Sequence, residues 1–144
     1  MSVEKFMVGC TENCDLPGLG IKDLEVRVDT GAKTSSLHVD NIKKFKKSGK
    51  TWVSFDIHPT VHNVNDIICC EAPLKDVRKI KSSNGTSEER YIVRTPIKMN
   101  KQEWKIDISL TDRSDMSYLM LLGREAMLDR IIVDPSETFL LTSE

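Results

Sequence analysis

The sequence predicts an all-β fold, and three observations carry that expectation. Apolar and polar residues alternate with a period of two along most of the chain, turn-forming dipeptides punctuate the alternating runs, and only one short stretch, Arg124 to Asp129 after Gly123, has helical character. At 144 residues the chain is long enough for one domain with a real core and too short for two comfortable ones. Residues 1–144 are therefore expected to form one domain with one site.

Taken in order, Pro17-Gly18 and Gly20 mark an early turn, and Leu24-Glu25-Val26-Arg27-Val28 then alternates directly into Asp29. Ser48-Gly49 turns a lysine-rich stretch, and Val53-Ser54-Phe55-Asp56-Ile57 resumes the strand pattern. Asn84-Gly85 suits the left-handed positions of a type I′ turn, so Val77 to Ile92 reads as a long, polar-tipped hairpin running on through Tyr91-Ile92-Val93-Arg94-Thr95. The clearest alternation follows, with Trp104, Ile106, Ile108 and Leu110 on one face of a half-buried strand. No linker, low-complexity tract or repeat of 20 to 50 residues interrupts the pattern.

Composition excludes several classes. The 21 basic and 22 acidic side chains nearly cancel, so no global field steers the chain toward nucleic acid or an anionic membrane. No apolar run approaches the roughly 20 residues that span a bilayer. Phe6-Met7-Val8-Gly9-Cys10 has the outline of a lipoprotein cleavage site, but too few residues precede it to form a signal peptide, and a cytoplasmic location is expected. Cys10, Cys14, Cys69 and Cys70 lack the repeated Cys-x2-Cys spacing of a zinc ribbon and read as reduced structural thiols.

The element that carries chemistry is Asp29-Thr30-Gly31-Ala32, which places a carboxylate at a strand end where the backbone turns. Alone, such a tripeptide is as consistent with a plain turn as with a catalytic loop. A second element supports the catalytic reading: in Met120-Leu121-Leu122-Gly123-Arg124, apolar residues precede a glycine and a short helix begins. Together the two resemble the retropepsin family of aspartic peptidases. That likeness implies a small closed acid-protease-type barrel with one short helix after Gly123, the later apolar strand passing behind the Asp-Thr-Gly loop, and a flap at the Asn84-Gly85 hairpin.

The likeness is closest to a bacterial branch labelled ATP-dependent zinc proteases and associated with ATP-grasp glutamate ligases of a ribosomal protein. Val28 to His38, Leu110-Thr111-Asp112-Arg113, Leu121-Leu122-Gly123-Arg124, Val8-Gly9 and Leu16-Pro17-Gly18-Leu19-Gly20 all carry it, across almost the whole chain. The resemblance implies catalysis by two carboxylates about 3 Å apart sharing one proton, one activating water while the other polarises the scissile carbonyl. With a single Asp-Thr-Gly in the sequence, a two-fold axis must supply the second, so a homodimer is expected. Asp29 would be the catalytic carboxylate, Thr30 would brace the pair across the axis, and Gly31 would expose backbone to substrate.

One departure from the viral members stands out. Their residue four past the catalytic Asp is acidic and meets the Arg after the later Gly. Here Lys33 stands in that place opposite Arg124, so the ion pair cannot form and the cation favours a doubly ionised carboxylate pair. Ala32, Lys33 and Arg124 are accordingly expected to bind substrate, the two cations taking an acidic side chain or a terminal carboxylate; otherwise they are solvated or internally paired.

The other suggestive residues have plainer readings. His58 and His62 are spaced as helical metal ligands, but Pro59 argues against a helix, and no His-Glu-x-x-His element exists. With His38 and the cysteines they are expected to be ordinary polar or core residues, with no metal bound. The absence of a Gly-x4-Gly-Lys-Ser/Thr loop predicts no nucleotide site and no cofactor. Lys43-Lys44-Phe45-Lys46-Lys47-Ser48-Gly49-Lys50 reads as a solvated hairpin tip; were it functional, it would meet an acidic protein tail. Asp112 to Asp115 reads as a structural turn.

The expectation is therefore a homodimeric aspartic-type peptidase acting on a protein or peptide, a glutamate-extended tail being the substrate that the ligase association suggests. The alternatives are a catalytically weak binding or regulatory module associated with a glutamate ligase, and a metal-dependent hydrolase. Neither nucleic acid nor membrane is expected as a partner.

Overall fold

Residues 4–58, 67–81, 85–111 and 118–141 are described by a computed structural model, and within them the fold is all-β, as the alternation predicts. Eleven strands are present among these residues: β1 (Phe6–Val8), β2 (Thr11–Leu16), β3 (Ile21–Val28), β4 (Ser35–His38), β5 (Asp40–Lys47), β6 (Lys50–Ile57), β7 (Ile68–Lys81), β8 (Ser87–Met99), β9 (Gln102–Thr111), β10 (Met120–Leu122) and β11 (Ile131–Val133). Strands β2, β3, β10, β4, β9 and β8 are neighbours in that order, and β8 returns to β2 through the pair Asp15 and Lys98. The ring closes a six-stranded barrel, which leaves those strands no open edge. Beyond β8 the sheet continues outward through β7 and β6 to β5.

Alternation works as read for β3, whose Leu24, Val26 and Val28 point into the core. Strand β9 departs from it. Ile108, Ser109, Leu110 and Thr111 are all buried, so at that end both faces of β9 are covered. Leu16, Leu37, Ile108, Met120 and Leu122 are among the side chains wholly removed from water at the centre.

The turns differ from expectation in instructive ways. Ser48-Gly49 closes β5 on β6 with both residues at positive φ, 54° and 79°, the type I′ pattern for a two-residue hairpin. The lysines around it are not a tip: Lys43 to Lys47 run along β5 itself. Asn100-Lys101 makes a second such turn between β8 and β9, with φ of 52° and 64°. The hairpin expected over Val77 to Ile92 is β7 with β8, and both strands extend beyond those limits. Asn84 at its tip lies outside the described residues, as do Pro59, His62 and Asp112 to Asp115.

Among the described residues two segments are helical, both as single 3-10 turns. Pro17–Leu19 starts on a proline and is closed by Gly20 at φ 73°. Arg124–Ala126 takes up the expected helix but stops after one turn, where Arg130 and Ile131 both donate to the Met127 carbonyl and Asp129 sits at φ 64°. So short a segment cannot propagate a helix of its own.

The C-terminal segment is strapped to the N-terminal strands. β11 pairs in parallel with β1, Asp134 N donates to Val8 O at 2.9 Å, and Phe139 N donates to Thr11 O at 2.8 Å. Beneath the strap lies Glu12, fully buried, whose carboxylate accepts from Gly9 N at 2.8 Å, Leu140 N at 2.7 Å and Leu141 N at 3.1 Å. Among the described residues no helix is long and apolar enough to cross a membrane.

Candidate active site

The Asp29 loop is positioned by strand order. Strand β10 runs parallel to β3, with Leu122 opposite Val28, and antiparallel to β4, with Leu121 opposite Ser36. The loop joining β3 to β4 must therefore arch over the end of β10. Backbone hydrogen bonds staple it there: Asp29 N donates to Leu122 O at 2.9 Å, Arg124 N to Ala32 O at 2.8 Å and Glu125 N to Lys33 O at 3.1 Å. Gly123 N donates to the buried Ser35 Oγ at 2.9 Å. Gly123 has no room for a side chain, since a Cβ would lie 2.6 Å from the Thr34 carbonyl carbon.

Within the loop, Asp29 Oδ1 accepts from Gly31 N at 3.0 Å, and Ala32 N donates to Asp29 O at 3.2 Å, which fixes the carboxylate against its own turn. Asp29 is partly exposed, and Thr30 and Gly31 are exposed. The Arg124 side chain turns back onto this loop: Nη1 lies 3.3 Å from Gly31 O and 3.5 Å from Thr30 O. Among the described residues neither Lys33 nor Arg124 makes an ion pair.

Beside the loop opens a cleft of about 420 Å³, lined by Ala32 and Lys33 on one side and by Arg78, Lys79, Arg90 and Ile92 of the β7–β8 hairpin on the other. Sequence reasoning proposed Ala32 and Lys33 but missed the three hairpin cations. Their signal was available, since all three fall within the expected flap, but only the register shows that Arg78 stands directly opposite Arg90. Like charges facing each other across an antiparallel pair are unfavourable unless anions offset them. Arg90 has Glu88 at 3.0 Å, and Arg78 has Asp76 at 3.0 Å and Asp107 at 3.9 Å. Burial pushes the Asp107 carboxyl up, but hydrogen bonds from Lys75 at 2.7 Å and Arg94 at 3.0 Å outweigh it and hold it below the usual carboxylate range. A second cleft, about 380 Å³, lies at the β2–β8 seam with Asp15, Asp23, Lys98 and Lys101 on its walls, and contains no residue of the Asp29 loop.

Among the described residues, His38, His58 and the four cysteines do not converge on this site. His58 Nε2 meets Asp40 Oδ2 at 3.0 Å, His38 lies on β4, and among the described residues no three His, Cys, Asp or Glu side chains are placed to hold a metal ion. All four cysteines are free thiols. Burial pushes the Cys14 thiol up to about 12 and the Cys70 thiol to about 11, so both stay protonated at neutral pH.

Residues 7–144 match the family described as RimB-like, retropepsin-like aspartic endopeptidase RimB. A protein of Shewanella pealeana named "Probable alpha-L-glutamate ligase" is 48% identical over 141 residues, covering 98% of this chain and 31% of that protein. A protein of Desulfotalea psychrophila with the same name is 47% identical over 134 residues, covering 93% of this chain and 29% of that one. The chain thus spans about a third of the length of these relatives. A crystal structure of a Legionella pneumophila protein of unknown function superposes with a TM-score of 0.81 at 28% identity, covering 96% of this chain and all of that one.

Proposed function

The chain belongs to the RimB-like family of retropepsin-like aspartic endopeptidases, and from that premise we propose that it is a single-domain aspartic peptidase, completed by a second copy of itself, that hydrolyses a glutamate-rich protein segment. The observation that carries this reading is the juxtaposition of Asp29, on a loop stapled to β10, with a cleft lined by Lys33, Arg78, Lys79 and Arg90. An Asp-Thr-Gly loop supplies one carboxylate, and its exposed Thr30 and Gly31 leave it accessible to a symmetry mate. Two Asp29 side chains sharing a proton would activate water and protonate the carbonyl oxygen in turn.

The four cations give the substrate its class. An acidic side chain entering the cleft offers carboxylates to the facing Arg78 and Arg90, and an arginine accepts a carboxylate in a bidentate fork. Relatives named for ligating glutamate carry the same stretch inside a longer chain, which favours glutamates as those acidic side chains. Arg124 acts from behind, its guanidinium holding the Thr30 and Gly31 carbonyls. Ala32 and Lys33 face the cleft.

Replacing Asp29 by Asn tests this directly, with a peptide ending in several glutamates as substrate. Hydrolysis is expected to fall by about 10²–10⁴-fold with circular dichroism and Tm unchanged; full activity in the variant overturns the assignment. The ligase name of the relatives also favours a second reading, in which the barrel binds the glutamate-rich chain without cutting it and works with a ligase. That reading is selected if the wild-type chain binds the peptide and leaves it intact.

A further inference from the structure

We propose that the edge strand β5 is a second binding site, where an extended acidic polypeptide adds to the sheet as a further strand; the proposal rests on the acidic-substrate reading and adds a site outside the cleft. β5 is the last strand of the run β8, β7, β6, β5 and pairs only with β6 among the described residues. A register shift between Asp40 and Lys43 marks its start, after which Lys43 to Lys47 pair regularly with Ser54 to Lys50. Such an edge is a template for another extended chain, and one or two charges ordinarily suffice to block it.

Here four of the five residues from Lys43 to Lys47 are lysines. Because side chains alternate along a strand, Lys43 and Lys47 project to one face and Lys44 and Lys46 to the other. A strand added beside β5 would present its own side chains to both faces in the same alternation. A chain acidic at successive positions complements that arrangement, whereas an amphipathic strand would complement only one face. Lys43 and Lys46 make no ion pair among the described residues. Lys47 is shared between the Trp52 ring, 4.6 Å from its ammonium, and Glu71 at 3.7 Å.

The strand also lies against the β7–β8 hairpin. Lys44 Nζ is 5.4 Å from the centre of the Tyr91 ring, and because side chains alternate along β8, Tyr91 points to the face opposite that of its cleft-lining neighbours Arg90 and Ile92. An acidic chain held on β5 would therefore occupy a site separate from the cleft, on the other face of the hairpin. Nucleic acid would meet the same lysines but has no use for the open line of backbone amides, and this favours a peptide.

The test uses the whole chain carrying Asp29→Asn, so that no peptide is consumed, with a fluorescent peptide of about ten glutamates as probe. Amides of Asp40 to Lys47 are expected to gain hydrogen-exchange protection on binding. Combined Lys43→Gln, Lys44→Gln, Lys46→Gln and Lys47→Gln substitutions should weaken binding about tenfold or more at low salt, with the difference shrinking at high salt. Arg78→Gln with Arg90→Gln should leave the β5 protection in place. The proposal is overturned if the peptide binds without protecting β5, if the lysine substitutions leave binding unchanged, or if a single-stranded RNA of equal charge binds β5 more tightly than the peptide. Retained activity in Asp29→Asn would defeat the peptidase reading while leaving the β5 result to stand or fall by itself.

Discussion

At single residues the site depends on close backbone approach. Gly123 passes 2.6 Å, measured from the Cβ it lacks, beneath the Thr34 carbonyl carbon, and the obstructing atoms are main chain, so no rotamer change could relieve an added methyl group. Gly123→Ala is therefore expected to cost about 1–3 kcal/mol in chemical denaturation. On the peptidase reading it should also lower activity out of proportion to the stability lost, because the strain falls on the backbone that staples the Asp29 loop; unchanged activity at unchanged stability would contradict this geometry. Asp29 and Gly123 were legible in the sequence because their chemistry is local: a carboxylate at a strand end, and a glycine after an apolar run. Glu12 was not. Its role requires amides from residues nearly 130 positions away in the chain, and nothing around it in sequence announces a fully buried carboxylate with three donors. Nor could the sequence show that Arg124 turns back onto the Thr30 and Gly31 carbonyls.

At the level of elements, the β7–β8 hairpin supplies the cleft with its charge and β9 keeps that charge in place. Asp107 on β9 takes Lys75 and Arg94 directly and lies 3.9 Å from Arg78. Because its folded pKa is held below the unfolded value, near 4, Asp107 contributes stability that is fully present above that value and lost as pH falls through the folded one. Asp107→Asn should accordingly lower Tm most near neutral pH, and the gap from wild type should close as pH drops below about 4. A gap that widens on acidification would refute the sign. The hairpin was visible in the sequence through Asn84-Gly85, but its full length was not, because Pro73 interrupts the β7 stretch and Pro96 the β8 stretch, and proline cannot donate to a sheet ladder. The lysine-rich segment shows the same limit more strongly. Its composition argues for a solvated tip, yet pairing with the apolar-alternating β6 draws it into a strand. Asn100-Lys101 escaped notice because lysine gives no signal for a left-handed turn position.

For the whole molecule, the decisive property is that one closed barrel carries one Asp-Thr-Gly loop. The all-β class was predictable from alternation, and a closed barrel from the family resemblance that the two motifs carry; the Asp15 and Lys98 pair that closes it was not, since that contact links strands far apart in sequence. A barrel so closed has no internal second half to donate another carboxylate, and the aspartic mechanism requires two. The peptidase reading thus makes activity a property of the pair of chains rather than of one. Specific activity should rise with protein concentration until the dimer saturates, and well below that point total activity should vary with roughly the square of concentration, so that specific activity is roughly proportional to it. Mixing wild-type chain with increasing Asp29→Asn chain, at fixed total concentration and after exchange, should lower activity as roughly the square of the wild-type fraction, because every mixed pair lacks one carboxylate. A linear decline, or activity independent of concentration in a chain shown by sedimentation to be monomeric, would place the chemistry within a single barrel. The Asp29 loop would then have to act through a different mechanism.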